Sequence, residues 1–170
     1  GPEFAAAIRR SGEHLLSLLN DILDLSRAEA GKLELTHKPV ALVPLVGEVA
    51  SMMRPAARER GNALEVQYVT PIPRTIRTDE IRLRQALVNL TGNAVKFTEE
   101  GRVQIEVAFV SPWRAGTAAV RFRVADTGIG IPAEKLQTLF EPFARGDESM
   151  TRTYGGTGLG LSITCRIAEL

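Results

Sequence analysis

Cysteine occurs only once in this chain of 170 residues, at Cys165, so no disulfide can form within it. Cys165 lies in an apolar helical pattern, where a buried thiol is expected rather than a redox centre or metal ligand. An excess of either charge is also lacking. With 21 basic and 20 acidic residues, the net charge of +1 gives no support for a polyanion-binding surface, and nucleic acid is not an expected partner. The sequence has no run of about 18 apolar residues and no secretory signal, so no stretch of it reads as a membrane span. Internal repeats and low-complexity tracts are missing too. What is present is ordinary for a globular domain: 44% hydrophobic and 24% charged residues, in a length sufficient for one core.

Residues 1–4, Gly-Pro-Glu-Phe, look like a protease and cloning remnant and are set aside from fold reasoning. Residues 5–30 read as one long helix. Ile8, Ser11, Leu15, Leu18, Ile22 and Leu25 alternate at three and four residues, and Leu16, Leu19 and Leu23 widen the strip to suit a helical bundle. No helix of matching pattern follows, so this apolar face lacks an evident partner in the chain. Gly31 suits the C-cap. Short strand character at 32–42 leads into a helix from Leu42 to Arg60, with Val43, Val46, Val49 and Met53 inward and Gly61 as terminator. Residues 64–69 alternate as a strand, 74–78 form a brief extended segment, and Asp79 can cap the next helix.

Two clear strands follow, at 102–110 and 118–125. They place Val103, Ile105, Val107 and Phe109, then Val120, Phe122 and Val124, on one face. Trp113, between them, reads as a loop packing residue. Pro132 can start a short helix over 132–140, residues 140–156 read as a polar mobile loop, and a last helix runs to Leu170. The order predicts an α/β layer with a mixed sheet, preceded by one separate long helix.

The helix at 79–98 carries a further lack. Leu83, Leu87, Leu90, Ala94 and Phe97 recur at the spacing of a buried face. Arg82, Gln85, Asn89, Asn93 and Lys96 form a second continuous face, and it has no carboxylate. A solvated helix face usually mixes both signs of charge. Amides flanked by cations suit an anion and a hard metal ion better than they suit water.

Four blocks stand in order: Asn89-Leu-Thr-Gly-Asn93-Ala-Val-Lys96-Phe97-Thr98, Asp126-Thr-Gly128-Ile-Gly130, Phe140-Glu-Pro-Phe143 and Gly156-Thr-Gly158-Leu-Gly160-Leu. Together they resemble the N, G1, F and G2 boxes of a sensor histidine kinase ATP-binding domain, of the GHKL or Bergerat class. SGEHLLSLLNDILDLSRAEAGKLEL (11–35) resembles the second helix of that family's dimerisation and phosphoacceptor module and its exit. DLSRAEAGKLEL is similar in particular to hybrid kinases. The resemblance implies a two-layer α/β sandwich of the Bergerat fold. It assigns 5–31 to the truncated dimerisation module and 32–170 to the catalytic domain. It further implies a C-terminal strand hairpin after the last helix, and these residues are expected to lack it, which would leave a sheet edge exposed.

The resemblance also implies ATP and Mg²⁺ as cofactors and phosphoryl transfer to a histidine. Its implied partners are a phosphoacceptor helix of the same or a sister subunit and a response-regulator receiver domain. It implies a cytoplasmic catalytic portion and a homodimer of the full protein through a four-helix bundle. Carried over residue by residue, Asn93 holds the metal, and an amide oxygen is a hard donor for an ion that takes its other ligands from phosphates and water. Asn89, one turn earlier, can bond phosphate or a metal-bound water, and Lys96 can bring charge to the terminal phosphate. Asp126 can accept from the N6 amine of adenine, and Gly128 and Gly130 let backbone approach the base. Gly158 and Gly160 precede a helix start that favours phosphate. Phe97, Ile131, Thr157 and Leu159 complete the nucleotide-contacting set. Arg145, with Arg152 behind it, is the expected lid cation for the γ-phosphate. Blander alternatives are a polar helix face at 89–96, a plain turn at 126–130, a hinge at 156–160 and solvated loop arginines.

Four absences sharpen this. No Lys-Ser or Lys-Thr follows the last glycine block, so it is not a Walker A loop, and no third glycine makes it a dinucleotide fingerprint. Neither His14 nor His37 lies in a His-Glu-Leu-Arg-Thr-Pro-like acceptor motif, so the phosphoacceptor helix is expected to be absent and the piece inactive alone. Related ATPases carry a glutamate four residues before the metal asparagine, as a base for water. Asn89 stands there and cannot take a proton, which favours transfer over hydrolysis. The competing readings are a GHKL-type ATPase and an interaction module that has lost nucleotide.

Overall fold

The computed structural model describes residues 2–30, 33–111, 118–141 and 158–169. In chain order the elements are α1 (Pro2–Glu29), β1 (Lys38–Ala41), α2 (Leu42–Glu59), β2 (Ala63–Tyr68), β3 (Thr75–Thr78), α3 (Glu80–Lys96), β4 (Arg102–Val110), β5 (Ala119–Asp126), α4 (Ala133–Leu136) and α5 (Gly160–Glu169). The chain divides into two compact units, residues 35–134 on the one hand and residues 1–34 with 135–170 on the other.

The first unit is a two-layer α/β sandwich. β4 is the middle strand of a mixed sheet, parallel to β2 and antiparallel to β5. A parallel pair needs a crossover, and the segment carrying α3 provides it. α2 and α3 cover one face, where Leu45, Val46, Val49, Leu87, Ile105 and Val107 form the core. The opposite face is polar: Gln104 Nε2 donates to Gln67 Oε1 at 2.8 Å, and Arg123 pairs with Glu106 at 3.1 Å. β1 and β3 make a separate antiparallel ribbon.

Several sequence expectations are corrected here. Strand structure at 32–42 is confined to Lys38–Ala41. Val43 is 51% exposed, although its pattern placed it inward. The chain enters α2 with Leu42 already buried, so the helical period carries the buried stripe through Leu45, Val46, Val49, Ala50 and Ala57 and leaves Val43 to one side. α2 runs through Pro55 and ends where Gly61 adopts φ +68, the left-handed conformation that glycine reaches without steric cost. On α3 the buried positions are Leu87, Thr91, Ala94 and Val95, and Leu83, Leu90 and Phe97 are half-buried. The helix expected over 132–140 is a single turn, Ala133–Leu136.

The second unit contains α1 and α5, which touch. Leu159, Ile163 and Ile167 cluster together. Cys165 is half-buried rather than buried, with Sγ 3.6 Å from Glu169 Oε1. Along α1, Leu15, Leu16, Leu19, Ile22 and Leu23 are all exposed. Among the described residues no helix is long and apolar enough to cross a membrane. Gly31 and Trp113 lie outside the described residues.

Candidate functional site

α3 begins on a carboxylate clamp. Asp79 accepts from the Arg82 amide at 3.1 Å, the N-cap bond its sequence position anticipates, and from the Thr36 amide at 2.9 Å. Burial resists ionisation of Asp79, but the two amides and the Arg82 charge outweigh it and hold the carboxyl below its usual range. One helix end is thereby tied to the segment that leads into β1.

The polar stripe splits in two. Near the N-terminus Arg82 Nη1 donates to Gln85 Oε1 at 2.9 Å. Toward the C-terminus Asn89, Asn93 and Lys96 follow on successive turns, and all three are half-buried. Lys96 Nζ lies 4.8 Å from the centroid of the Phe97 ring, a cation–π distance. Burial pushes the Lys96 ammonium below its ordinary range. An approaching anion would favour the charged form again.

The second part of the site is the turn after β5. Asp126 ends the strand, and its Oδ1 accepts from the Gly128 amide at 2.9 Å. Its other carboxylate oxygen has no hydrogen bond among the described residues, which leaves an exposed acceptor at the end of β5. Gly130 has φ +71, a backbone conformation that disfavours any side chain. Gly128 is constrained by space instead. A Cβ there would collide with the Phe97 carbonyl oxygen and come within 2.8 Å of Thr98 Oγ1. Ile129 and Ile131 are 65% and 51% exposed.

These two parts meet. The Ile129 amide donates to the Phe97 carbonyl oxygen at 3.2 Å, so the turn that carries Asp126 rests on the end of the helix that carries Asn93 and Lys96. The fold therefore joins Asn89, Asn93, Lys96, Phe97, Asp126, Gly128, Gly130 and Ile131 in one unit. Gly158, Leu159 and Gly160 belong to the other unit. There Gly158 has φ +71, and the buried Leu159 offers its carbonyl to the Ile163 amide at 3.0 Å and to Ser162 Oγ at 2.8 Å, opening α5. Thr157, Arg145, Arg152 and Phe143 lie outside the described residues.

The donor set fits a magnesium ion that is shared with phosphate. No cluster of three or more His, Cys, Asp or Glu among the described residues could hold a metal by itself. Amide side chains on the helix stretch that also carries Lys96 suit an ion whose other ligands are phosphate and water. Sequence reasoning missed Thr127 and Thr98. Thr127 Oγ1 accepts from the Arg102 amide at 3.0 Å and so fixes the turn to the start of β4. Thr98 is fully buried beneath Gly128. Their positions inside the two boxes were the available signal.

Residues 78–170, more than half the chain, match the family described as histidine kinase-, DNA gyrase B- and HSP90-like ATPases. The circadian input-output histidine kinase CikA of Synechococcus elongatus is 46% identical over 171 residues, covering 99% of this chain and 22% of that protein. The autoinducer 2 sensor kinase/phosphatase LuxQ of Vibrio vulnificus is 40% identical over 160 residues, covering 94% of this chain and 19% of its own length. This chain thus spans about a fifth of these relatives. Among solved structures, full-length ShkA in complex with AMPPNP superposes with a TM-score of 0.81 at 41% identity, over 98% of this chain and 33% of that one.

Proposed function

Because this chain belongs to the histidine kinase-, DNA gyrase B- and HSP90-like ATPase family and carries the ATP-binding catalytic domain of its sensor kinases, we propose that it binds Mg·ATP and serves transfer of the γ-phosphoryl group to a histidine. The observation that carries this reading is the contact between the end of α3 and the Asp126 turn. It sets a phosphate-suited helix face against a base-suited acceptor.

In this reading Asp126 accepts from the adenine amine, and guanine, with a carbonyl at that ring position, is rejected because two acceptors would face each other. Gly128, Gly130, Ile131 and Phe97 frame the base. Asn93 holds Mg²⁺, with Asn89 and Lys96 on the phosphates, and the ion supplies neutralisation of phosphate charge. The family motifs assign phosphate contacts to Thr157, Gly158, Leu159 and Gly160, and assign charge for the γ-phosphate to Arg145. The incoming imidazole nitrogen forms a bond to the γ-phosphorus while the bond to the bridging oxygen breaks and ADP leaves. The chain contributes position and charge rather than a base. Asn89 cannot deprotonate water, so hydrolysis is slow.

Residues 5–31 act as the second helix of a dimerisation module, and 32–170 as the catalytic domain. The exposed leucines of α1 support the helix assignment, since they suit a four-helix bundle of a homodimer. The acceptor histidine then lies on a partner helix of the same or a sister subunit, and a response-regulator receiver domain takes the phosphoryl group on. An ATP-dependent step of this kind belongs in the cytoplasm.

The test is phosphate release beside transfer. With γ-labelled ATP, label should appear on a supplied helix fragment bearing an acceptor histidine, and Asn93→Ala should abolish it. Steady phosphate release by the chain alone would favour the hydrolytic alternative.

A further inference from the structure

The end of α3 is held by a residue outside every motif. Helix C-termini leave carbonyls without intrahelical partners, and these need donors from elsewhere. Asn62 lies just past Gly61, and its side chain is buried, with only 5% of the residue exposed. Its Nδ2 donates to the Val95 carbonyl at 3.3 Å and to the Thr98 carbonyl at 2.7 Å. Its Oδ1 accepts from the Gly101 amide at 3.0 Å. One amide group, more than thirty residues away in sequence, thus caps the nucleotide helix and fixes the turn into β4. Ala63 repeats the tie through backbone, donating to the Gly101 carbonyl at 2.9 Å.

The Asp126 turn is built on the same two stretches. Ile129 and Gly128 rest on Phe97 and Thr98, and Thr127 exchanges hydrogen bonds with Arg102 through both its amide and its hydroxyl. Gly101 leaves room for this, because a Cβ there would strike Thr127 Oγ1 and come within 2.7 Å of Thr98 Cγ2. The geometry points to Asn62 as a positioning residue for nucleotide binding: it sets the spacing between the phosphate face at Asn93 and Lys96 and the adenine acceptor at Asp126. It touches no ligand and acts through Val95, Thr98 and Gly101. The inference rests on the nucleotide reading above.

Substitution separates this role from simple stabilisation. Asn62→Asp keeps the shape but replaces the donor with an oxygen facing two carbonyls, which costs both bonds. Titration calorimetry with MgADP, at a temperature where every variant is folded, should show affinity weakened about tenfold or more, or ~1.4 kcal/mol. Val49→Ala, a core variant that takes no part in the Asn62 hydrogen bonds, lowers stability and should leave affinity within about twofold of wild type. Asn62→Ser, which keeps one donor and one acceptor, should fall between. Equal affinity of Asn62→Asp and wild type, or equal weakening by Val49→Ala, overturns the inference. A wild-type chain that binds no nucleotide overturns the nucleotide reading itself, and this inference with it. If Asn62→Asp does not fold, amide exchange in the wild-type chain decides. Saturating MgADP should slow exchange at Gly101 and Ile129 more than at Val103, and uniform slowing would count against Asn62.

Discussion

α1 and α2 are both amphipathic helices, yet they treat their apolar residues in opposite ways. In α2, Leu42, Leu45, Val46 and Val49 are at most 2% exposed. In α1, Leu15, Leu16, Leu19 and Leu23 are each at least 50% exposed. The stripe of α2 is matched inside its own unit by α3 and by the inward residues of β4. α1 touches α5, yet these leucines of its wide strip stay exposed among the described residues. Amphipathicity alone therefore does not say that a helix completes a core. It says that the helix needs a partner, which sequence neighbours supply for α2 and which our proposal places on another helix for α1.

The largest expected effect tests that contrast directly. Leu45→Ala should cost about 2–5 kcal/mol in urea unfolding, because it removes a fully buried side chain. Leu16→Ala should change the stability of the monomeric chain by less than about 0.5 kcal/mol. Equal losses would mean that α1 packs as α2 does, and the comparison would fail. Next comes Asn93→Ala, which should weaken MgADP binding by about 1.5–3 kcal/mol in calorimetry while leaving the unfolding midpoint nearly unchanged.

Asp79→Ala should follow, at about 0.5–2 kcal/mol of stability through loss of the α3 cap. The same group sets an acid dependence. Its folded carboxyl titrates below the ordinary value of 3.8, so its contribution is complete above that pH. It should be lost as pH falls below 3.8 toward the folded value, and a urea series across that range in wild type and Asp79→Ala measures the difference. The smallest effect is expected at Arg84, which pairs with Glu48 at 2.7 Å and with Glu80 at 2.9 Å on a solvated surface. Arg84→Ala should cost about 0.2–1 kcal/mol, less in high salt.

The regular periods of the chain were readable without a structure. The alternation at 102–110 and the 3.6-residue period of α3 gave elements close to their true bounds, because each buries one face against a layer of the same unit. Legibility failed where register depended on a neighbour. Val43 carries a helix-compatible hydrophobic spacing, yet the early burial of Leu42 turns it outward. The short α4 has a good proline start but buries none of its residues, so nothing extends it. Within the site, the boxes gave Asn93, Lys96 and Asp126 through residue type and spacing. They could not give Asn62, because a single asparagine after a glycine reads as turn punctuation. Its role arises from carbonyls that only the folded chain brings within reach.

The central claim is that the Asn93 face of α3 and the Asp126 turn form one adenine-nucleotide site. Titration calorimetry of MgATP and MgGTP into the wild-type chain and into Asp126→Asn tests it most directly. The expected result is one-to-one binding of MgATP, binding of MgGTP at least about tenfold weaker, or ~1.4 kcal/mol, and loss of that preference in Asp126→Asn. Equal binding of both nucleotides by the wild-type chain, or a preference untouched in Asp126→Asn, would contradict it.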